Sequence, residues 1–416
     1  MHNNKLVLSV VAILFSVVFS FGQNNTNSPY TRFGFGEISD NNPGEQRAMG
    51  GVSLGLRSPS TINTVNPASY SVVDSLSFMF DIGLSARMAL FSDPSGNKTS
   101  FAGNLEYLTM QFPASKWLGV SAGLLPYSFS GYDFHNTTTI HGDRINPNDT
   151  INVTTSYFGQ GGISQVYGGI SLKLFNHLSL GVNAYYMFGN SANMRQVVFS
   201  DGSTPSIQEN RINVNDLRFR YGAQFFNTFN DKHTVSVGAV FEPRKSLNAK
   251  AIVTTLGVVS DTITLDKNMF DSPMHLGVGV FYTYNNRLSL GLDYTLQGWE
   301  NAKFFGKTDS LTNYSKIALG AEYIPNSLGR RFYERLHYRA GLNISNPYYH
   351  VNGISMPKNI GASFGIGIPL PQSRTMLNAT LEYGKVGNSK LMNENFLKLT
   401  FNATINEFWF FKRKLN

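Results

Sequence analysis

Residues 178–188 read LSLGVNAYYMF, and residues 288–296 read LSLGLDYTL. Apolar and polar residues alternate in both stretches, which is the period of a β-strand with one apolar and one polar face. Each apolar face has to contact another apolar layer, which can be a second sheet, a helix or lipid. The rest of the sequence decides which of these layers the chain uses.

The same alternation continues through the chain after about residue 75. Residues 76–85, 274–284 and 397–405 show it clearly, whereas no long stretch has the apolar spacing of an amphipathic helix. We therefore predict an all-β chain with about fourteen strands, at approximately 75–90, 99–113, 116–139, 150–175, 177–200, 207–230, 233–256, 260–284, 287–308, 312–323, 333–345, 357–369, 374–385 and 395–408. The even number lets both termini lie on one side of the sheet.

The N-terminus has the features of a secretory signal peptide. An apolar run from Leu6 to Phe19 follows Lys5, and the small residue Gly22 ends the segment. The alternative is a membrane anchor, because the run is almost long enough to span a bilayer. We predict a cleaved signal peptide over residues 1–22, so the mature chain has to enter a membrane through strands.

The composition is poor in charge for a soluble protein. Only 14% of the residues are charged, aromatic residues make up 13%, and there is no cysteine. The net charge of +8 comes from scattered basic residues, apart from Arg330, Arg331 and the terminal Lys412, Arg413 and Lys414, so we predict no nucleic-acid partner.

No arrangement of residues indicates catalysis. The Ser, His and acidic residues form no motif with a positioned nucleophile and base, and the eight histidines lack the spacing of metal ligands. We therefore expect no enzymatic activity, no cofactor and no metal.

A closed barrel in the outer membrane of a Gram-negative bacterium explains the alternation best, because an open sheet would leave backbone groups unpaired in lipid. The apolar faces then contact outer-membrane lipid, and both termini lie in the periplasm. The alternative is a soluble β-sandwich or propeller, which would bury the charges of the polar faces at high cost. The predicted charges of the barrel lumen are Asp81, Arg87, Arg218, Arg220, Asp293, Lys316, Glu322, Arg339 and Glu382.

Aromatic residues near the strand ends are typical of the girdles at membrane interfaces. The predicted girdle residues are Tyr185, Tyr186, Phe188, Tyr282, Tyr284, Tyr294 and Tyr323.

Residues 28–70 do not alternate and are rich in glycine, proline and small polar residues. The stretch also contains aromatic and apolar residues, which disfavours disorder, the alternative interpretation. We predict that residues 23–74 form a hatch inside the lumen and that residues 75–416 form the barrel.

Two motifs in this stretch, Ala48-Met49-Gly50-Gly51 and Asn66-Pro67-Ala68-Ser69, resemble the hatch of the FadL family of outer-membrane transporters of hydrophobic compounds. The segments SPYTRFGFGE, RAMGGVSLGLR and NPASYSVVDSLSF look like an uncharacterised outer-membrane branch of that superfamily. The resemblance covers about residues 28–80 and implies a plugged fourteen-stranded barrel. It implies no ligand-lining residues.

The predicted structural residues of the hatch are Gly50, Gly51, Asn66, Pro67 and Ala68. The two glycines allow the backbone to turn or to pass close to the wall. Pro67 fixes a bend, and the Asn66 side chain can cap its own turn. A direct contact with ligand is the less favoured interpretation of these residues.

Pro126 lies inside the third predicted strand, where proline removes a hydrogen-bond donor. In the FadL family an interrupted third strand forms a lateral opening for hydrophobic ligands. Pro126 is therefore a candidate for such an opening, and a harmless bulge is the alternative.

We predict the first of two functions, and the second is the alternative. The first is a channel for passive uptake of small hydrophobic or amphipathic compounds, which predicts an apolar pocket above the hatch and a gap in the wall. The second is a non-transporting scaffold that binds other envelope proteins in a secretion or assembly complex, which predicts a tightly filled lumen.

Overall fold

The computed structural model describes residues 26–94, 96–141, 150–266, 268–309, 311–351, 356–371, 373–388 and 392–408. The predicted signal peptide and the basic residues 412–414 lie outside the described residues. The chain forms a closed antiparallel barrel of fourteen strands, because each strand pairs with the next and the first pairs with the last. The predicted fold class is confirmed.

The strand bounds agree with most of the predicted ones. The β-strands are β1 (Glu37–Ile38), β2 (Ser77–Asp93), β3 (Gly96–Ser115), β4 (Leu118–Phe129), β5 (Tyr132–His141), β6 (Thr150–Leu174), β7 (Leu178–Phe199), β8 (Ser206–Phe229), β9 (His233–Glu242), β10 (Lys245–Ser246), β11 (Ala249–Leu256), β12 (Asp261–Leu265), β13 (Asp271–Ser272), β14 (His275–Tyr284), β15 (Leu288–Gln297), β16 (Tyr314–Tyr323), β17 (His337–Ser345), β18 (Asn359–Pro369), β19 (Met376–Asn388) and β20 (Met392–Phe408). The third barrel strand consists of β4 and β5, the seventh of β9 to β11, and the eighth of β12 to β14.

The helical elements are short. They are α1 (Gly44–Ala48) and four 3₁₀ helices at Pro29–Arg32, Pro67–Val72, Trp299–Asn301 and Phe332–Glu334. In the part of the chain that the structure describes, no helix has the length and hydrophobicity needed to cross a bilayer.

Burial along the strands is the reverse of that in a soluble protein. In β15, Leu290, Leu292 and Tyr294 are exposed on the outside, whereas Ser289 and Asp293 are buried inside. Polar residues can be buried here because partners in the lumen satisfy them, and the exposed apolar residues form the outer surface that we predict to contact lipid. The apolar faces of the strands therefore lie on the outside of the barrel.

Two details of the sequence prediction are wrong. The ninth strand ends at Gln297 rather than at residue 308, because the chain turns inward at Gly298 and buries Trp299 completely. Tyr185 is 1% exposed and lies inside, so it is not a girdle residue. Its neighbour Tyr186 is 45% exposed, as the strand period of two requires.

The two ends of the barrel differ in their connections. At the end that contains Ser77 and Phe408, named the turn end here, three connections span only 175–177, 230–232 and 285–287. At the opposite end, named the loop end, β5, β6, β7, β8, β11 and β12 continue as one sheet. This sheet extends well beyond the short strands β15 to β17.

The first and last described residues lie at opposite ends of the barrel. Ser28 donates a hydrogen bond to Glu394 near the loop end of β20, whereas Phe408 pairs with Ser77 at the turn end. The prediction that both termini are periplasmic concerns residues beyond these, and it stays a prediction.

Candidate functional site: the barrel interior and its lateral seam

Residues 26–74, named the N-terminal segment here, pack against the inner wall at glycines. A Cβ atom added to Gly341 would collide with the backbone of Gly50, and one added to Gly238 would collide with the carbonyl group of Leu54. Glycines that are similarly covered by the segment occur in eight different strands: Gly119, Gly181, Gly222, Gly238, Gly291, Gly320, Gly341 and Gly365. At these positions the wall has no side chain of its own, so the segment lies directly against the backbone of the strands.

The predicted glycine turn is one of these contact points. Gly50 and Gly51 have φ angles of +70° and +93°, which favour glycine. The Gly50 N–H donates to the hydroxyl of Ser363 at 2.9 Å, and that hydroxyl donates to the carbonyl oxygen of Ala48 at 3.0 Å. A side chain on Gly51 would meet the amine of Lys316.

The predicted Asn66-Pro67-Ala68 motif forms the second contact region. The Asn66 side chain accepts a hydrogen bond from the Ala68 N–H at 3.1 Å, so it caps the 3₁₀ helix that starts at Pro67. Its amide group also donates to the carbonyl oxygen of Leu54 at 2.8 Å. The carbonyl oxygen of Ala68 accepts a hydrogen bond from Ser171 of β6 at 2.8 Å. All of these contacts are within the protein.

Asp293 and Lys316, two of the predicted lumen charges, hold the segment from the wall side. One carboxylate oxygen of Asp293 accepts hydrogen bonds from the backbone N–H groups of Ser53 at 2.6 Å and Leu54 at 2.8 Å. Lys316 forms an ion pair with Asp40. Charge-assisted hydrogen bonds of this kind are about twice as strong as neutral ones.

Arg339 is the centre of a buried network that includes the predicted Glu322. Its guanidinium contacts Glu322 at 2.5 Å and Glu45 of α1 at 3.2 Å, and it donates to Asn378 at 2.7 Å. Burial raises the pKa of Glu45 above its ordinary value, and the positive charge of Arg339 only partly offsets that effect.

Arg218 and Arg220 share one carboxylate. Both form ion pairs with Glu242, and Arg220 also contacts the carbonyl oxygen of Val65 at 3.4 Å. The Arg218 guanidinium lies over the ring of Tyr127 at 4.8 Å. Arg220 therefore contacts the N-terminal segment, and Arg218 contacts the aromatic side chains next to it.

Arg87 and Glu382 lie on the opposite side of the lumen. Arg87 pairs with Glu37 of β1 at 2.7 Å and with Glu394 at 2.6 Å. Glu382 lies 3.8 Å from Arg47 of α1. Most of the predicted lumen charges are therefore contacts of the N-terminal segment.

Among the described residues, Arg218, Glu322 and Asp81 are the predicted lumen charges without a direct contact to the segment, and Asp81 has a different set of partners. Its carboxylate accepts hydrogen bonds from Asn402 and Thr404 of β20, both at 3.2 Å. It contacts the segment only indirectly, because it also accepts from the Tyr107 hydroxyl at 3.4 Å, which in turn accepts from the Gly44 N–H.

Sequence reasoning missed several of the partners. Glu106 pairs with Arg47 at 2.6 Å and with Lys398 at 2.6 Å, and it is 2% exposed. A register shift at Gly83 places both Glu106 and Tyr107 on the inner face, so the alternation rule fails there. Glu45 and Arg47 were missed because they are in the segment, where no period assigns a face. Burial of Arg47 alone would lower its pKa, but the carboxylates of Glu106 and Glu382 raise it.

Aromatic side chains fill the loop-end half of the interior. The ring centroids of Trp299 and Tyr348 are 4.7 Å apart, and Phe35 lies 5.2 Å from Phe304 and 6.1 Å from Phe270. The interior contains cavities of about 70 and about 230 Å³, and a third of about 380 Å³ lies near the turn end. Charged side chains such as Arg87, Glu394 and Lys398 line the 230 Å³ cavity, together with aromatic ones such as Tyr349 and Phe396. No group of metal-binding residues occurs among the described residues.

The wall is interrupted next to Pro126. Pairing between β3 and β4 ends at Leu108 and Leu124, whereas β4 continues to pair with β6 through an irregularity after Pro126. We name the resulting opening the seam; it lies between residues 96–107 of β3 and residues 125–141 of β4 and β5.

The N-terminal segment crosses the inner side of the seam. β1 pairs antiparallel with β4, with Ile38 opposite Ser128, and the Ser39 N–H donates to the carbonyl oxygen of Tyr127 at 2.9 Å. On the other edge, the Asn27 side chain donates to Ser100 of β3 at 2.6 Å. The N-terminal segment therefore covers this break in strand pairing, and the role of Pro126 in a lateral opening stays a prediction.

The sequence profile of the BamG family matches residues 4–416, which is nearly the whole chain. The chain belongs to the BamG family. No curated protein matches the sequence. Several solved structures share the fold of this BamG-family protein, although their sequences are distant.

One is the monoaromatic hydrocarbon channel CymD, with 13% identity over 90% of this chain and 99% of that chain and a TM-score of 0.58. The toluene transporter TodX of P. putida has 14% identity over 89% and 99%, with a TM-score of 0.59. A FadL homologue of Pseudomonas aeruginosa has 12% identity over 88% and 98%, with a TM-score of 0.59.

At these identities the likeness shows the fold alone. The BamG-family chain has the FadL-like fold that its N-terminal motifs indicated, and it is a closed β-barrel; its location in the outer membrane stays a prediction.

Proposed function

We propose that this BamG-family barrel is a non-transporting scaffold, an accessory subunit that binds other proteins in an envelope secretion or assembly complex. The observation that carries the proposal is the filled lumen. The N-terminal segment touches the wall at glycines of eight strands, in five of them through its backbone, and aromatic rings occupy the space above it. A transporter of hydrophobic compounds needs an apolar pocket there, whereas the cavity of about 230 Å³ has Arg87, Glu394 and Lys398 in its lining beside its aromatic residues.

Moving the segment aside would also be costly. The ion pairs Glu45 with Arg339 and Arg47 with Glu106 join it to the wall, and all four side chains are at most 12% exposed. If the segment moved away while the wall stayed in place, Arg339 would lose Glu45 and Glu106 would lose Arg47, which disfavours the movement because charges left in the lumen lose a partner.

The channel for hydrophobic compounds is the second candidate function, and one observation favours it. The wall is open at the seam beside Pro126, and the structures with the same fold include hydrocarbon channels. In that case the compound would leave through the seam after β1 has detached from β4.

Mass spectrometry of the protein purified in mild detergent from its native membrane tests both candidates. The scaffold predicts a reproducible protein partner in stoichiometric amount and no lipophile that follows the barrel. A stoichiometric hydrocarbon, fatty acid or similar compound without a stable partner would overturn the scaffold and favour the channel. A Pro126→Ala variant sharpens the comparison, because only the channel gives this residue a role in ligand release.

A further inference from the structure

We propose that the free edge of β5, at the loop end of the seam, binds an extended strand of a partner envelope protein by backbone hydrogen bonding. The proposal rests on the scaffold function, because it names the surface through which the scaffold holds its partner.

The edge is unpaired in the described part of the chain. β5 pairs through Tyr132–His141 with β6 only. β3, which would be its neighbour in a continuous wall, stops pairing with this strand at Leu124. Among the described residues, two side chains reach the start of this edge: the Thr31 hydroxyl of the N-terminal segment bonds to the backbone of Gly131, just before β5, and the amine of Lys98 across the seam contacts the carbonyl oxygen of Asp133 at 3.4 Å.

The same edge already accepts a strand elsewhere. β1 adds to β4 in antiparallel register at Glu37–Ile38, opposite Ser128 and Phe129. β5 continues from β4 directly after Gly131. The free backbone N–H and C=O groups of β5 therefore extend the edge of β4 to which β1 is hydrogen-bonded. An extended peptide is therefore the kind of partner that this edge fits.

The edge lacks the features that block strand addition. Natural proteins protect free edges with proline, lysine, bulges or short length. β5 has ten residues, YDFHNTTTIH, with no proline and no lysine. The other free edge of the loop-end sheet, β12, has only five residues, begins with Asp261 and is followed by Asp266. The β3 edge across the seam carries Lys98, so within the loop-end sheet, as far as it is described, β5 is the long edge without these features.

The edge lies outside the predicted lipid zone, and its side chains indicate which residues a partner strand needs. Residues 135–140 are exposed on both faces, and most of them are polar, unlike the apolar outer face of the membrane-spanning strands. Phe134, which stacks on Tyr157 at 5.0 Å, and Ile140 share one face. A strand that places β-branched or aromatic residues next to this face and polar residues on the other would fit best.

The test is photo-crosslinking in the full-length protein in its native membrane. A photo-reactive amino acid is placed singly at each position from 133 to 140, with Thr262 and Thr264 of β12 as matched control positions. Strand addition predicts cross-links from β5 to one partner segment, in which the cross-linked residue moves by about one position for each step along β5. The control positions give no such series.

Two proline variants, Thr137→Pro and Thr138→Pro, complement this test. The N–H groups of neighbouring strand residues point to opposite edges, so one of the two variants removes an outward donor. That variant loses the co-purified partner while the barrel stays folded. A partner that co-purifies but cross-links without register, or through β12, overturns the docking site and leaves the scaffold function standing. If no partner co-purifies at all, the proposed function itself fails, and this proposal fails with it.

Discussion

The backbone of Gly50 occupies the space in which a side chain on Gly341 would begin. This contact joins a residue of the first fifty to a strand near the end of the chain, and its equivalents recur around the barrel. Because the N-terminal segment lies directly on the wall, a small substitution in the wall should change how tightly the segment packs. The predictions below use this coupling.

The substitution Gly341→Ala should loosen the N-terminal segment. The added methyl group collides with the backbone of Gly50, and overpacking of this kind costs about 1–3 kcal/mol. Limited proteolysis of the folded barrel should cut the segment faster. The matched control is Gly168→Ala in β6, where an added Cβ meets nothing within 4 Å. Equal protease resistance of both variants would contradict the close contact.

The substitution Asp293→Asn should free the amides of Ser53 and Leu54. It removes the charge from two hydrogen bonds of 2.6 and 2.8 Å, so we expect a loss of about 1–3 kcal/mol in local stability. Hydrogen exchange followed by mass spectrometry should show faster exchange at residues 53 and 54. Asp231→Asn, in an exposed turn, is the control and should leave this exchange unchanged.

The substitution Arg339→Met should be among the most destabilising ones in the interior. It leaves Glu322 and Glu45 without their shared cation, which costs about 3–5 kcal/mol. Urea unfolding of the refolded barrel in lipid vesicles, followed by tryptophan fluorescence, measures the loss.

Two further variants give this prediction its control. Adding Glu322→Gln to Arg339→Met should recover part of the loss, because it removes one unpaired charge. Arg211→Met breaks an exposed ion pair with Glu209 and should cost at most about 1 kcal/mol. A loss at Arg339 no larger than that at Arg211 would show that the network is solvated.

The pH dependence of stability should contain a contribution from Glu45. Its pKa is raised above the ordinary value of 4.5 by burial, so the folded protein binds the proton more tightly than the unfolded chain. The contribution is therefore complete below about pH 4.5 and disappears as the pH rises through the folded pKa. Comparing unfolding of the native protein and Glu45→Gln between pH 4 and 8 isolates it. The stability of the native protein relative to the variant should increase as the pH falls; a constant difference would exclude this role.

Strand periodicity made much of the fold predictable before the structure. Alternation located most of the strands and the inner position of charges such as Asp293 and Arg339, because a strand has a strict period of two. It failed at Glu106, where a register shift changes the face, and after Gly298, where the chain leaves the wall to bury Trp299. The alternation also shows why the girdle prediction for Tyr185 was wrong: neighbours in a strand point to opposite sides, so Tyr185 and Tyr186 cannot both face outward.

The sequence by itself determined an all-β barrel, because a sheet with alternating apolar faces and no second apolar layer to cover them has to close on itself when it crosses a membrane. Its N-terminal motifs also indicated the FadL-like fold. Only the tertiary structure decided what fills the lumen and where the wall is open. The partners of Gly50, Asp293 and Arg339 are hundreds of residues apart along the chain in most cases, and no local pattern encodes such pairings. The free edge of β5 likewise exists only because β3 diverges from it in space.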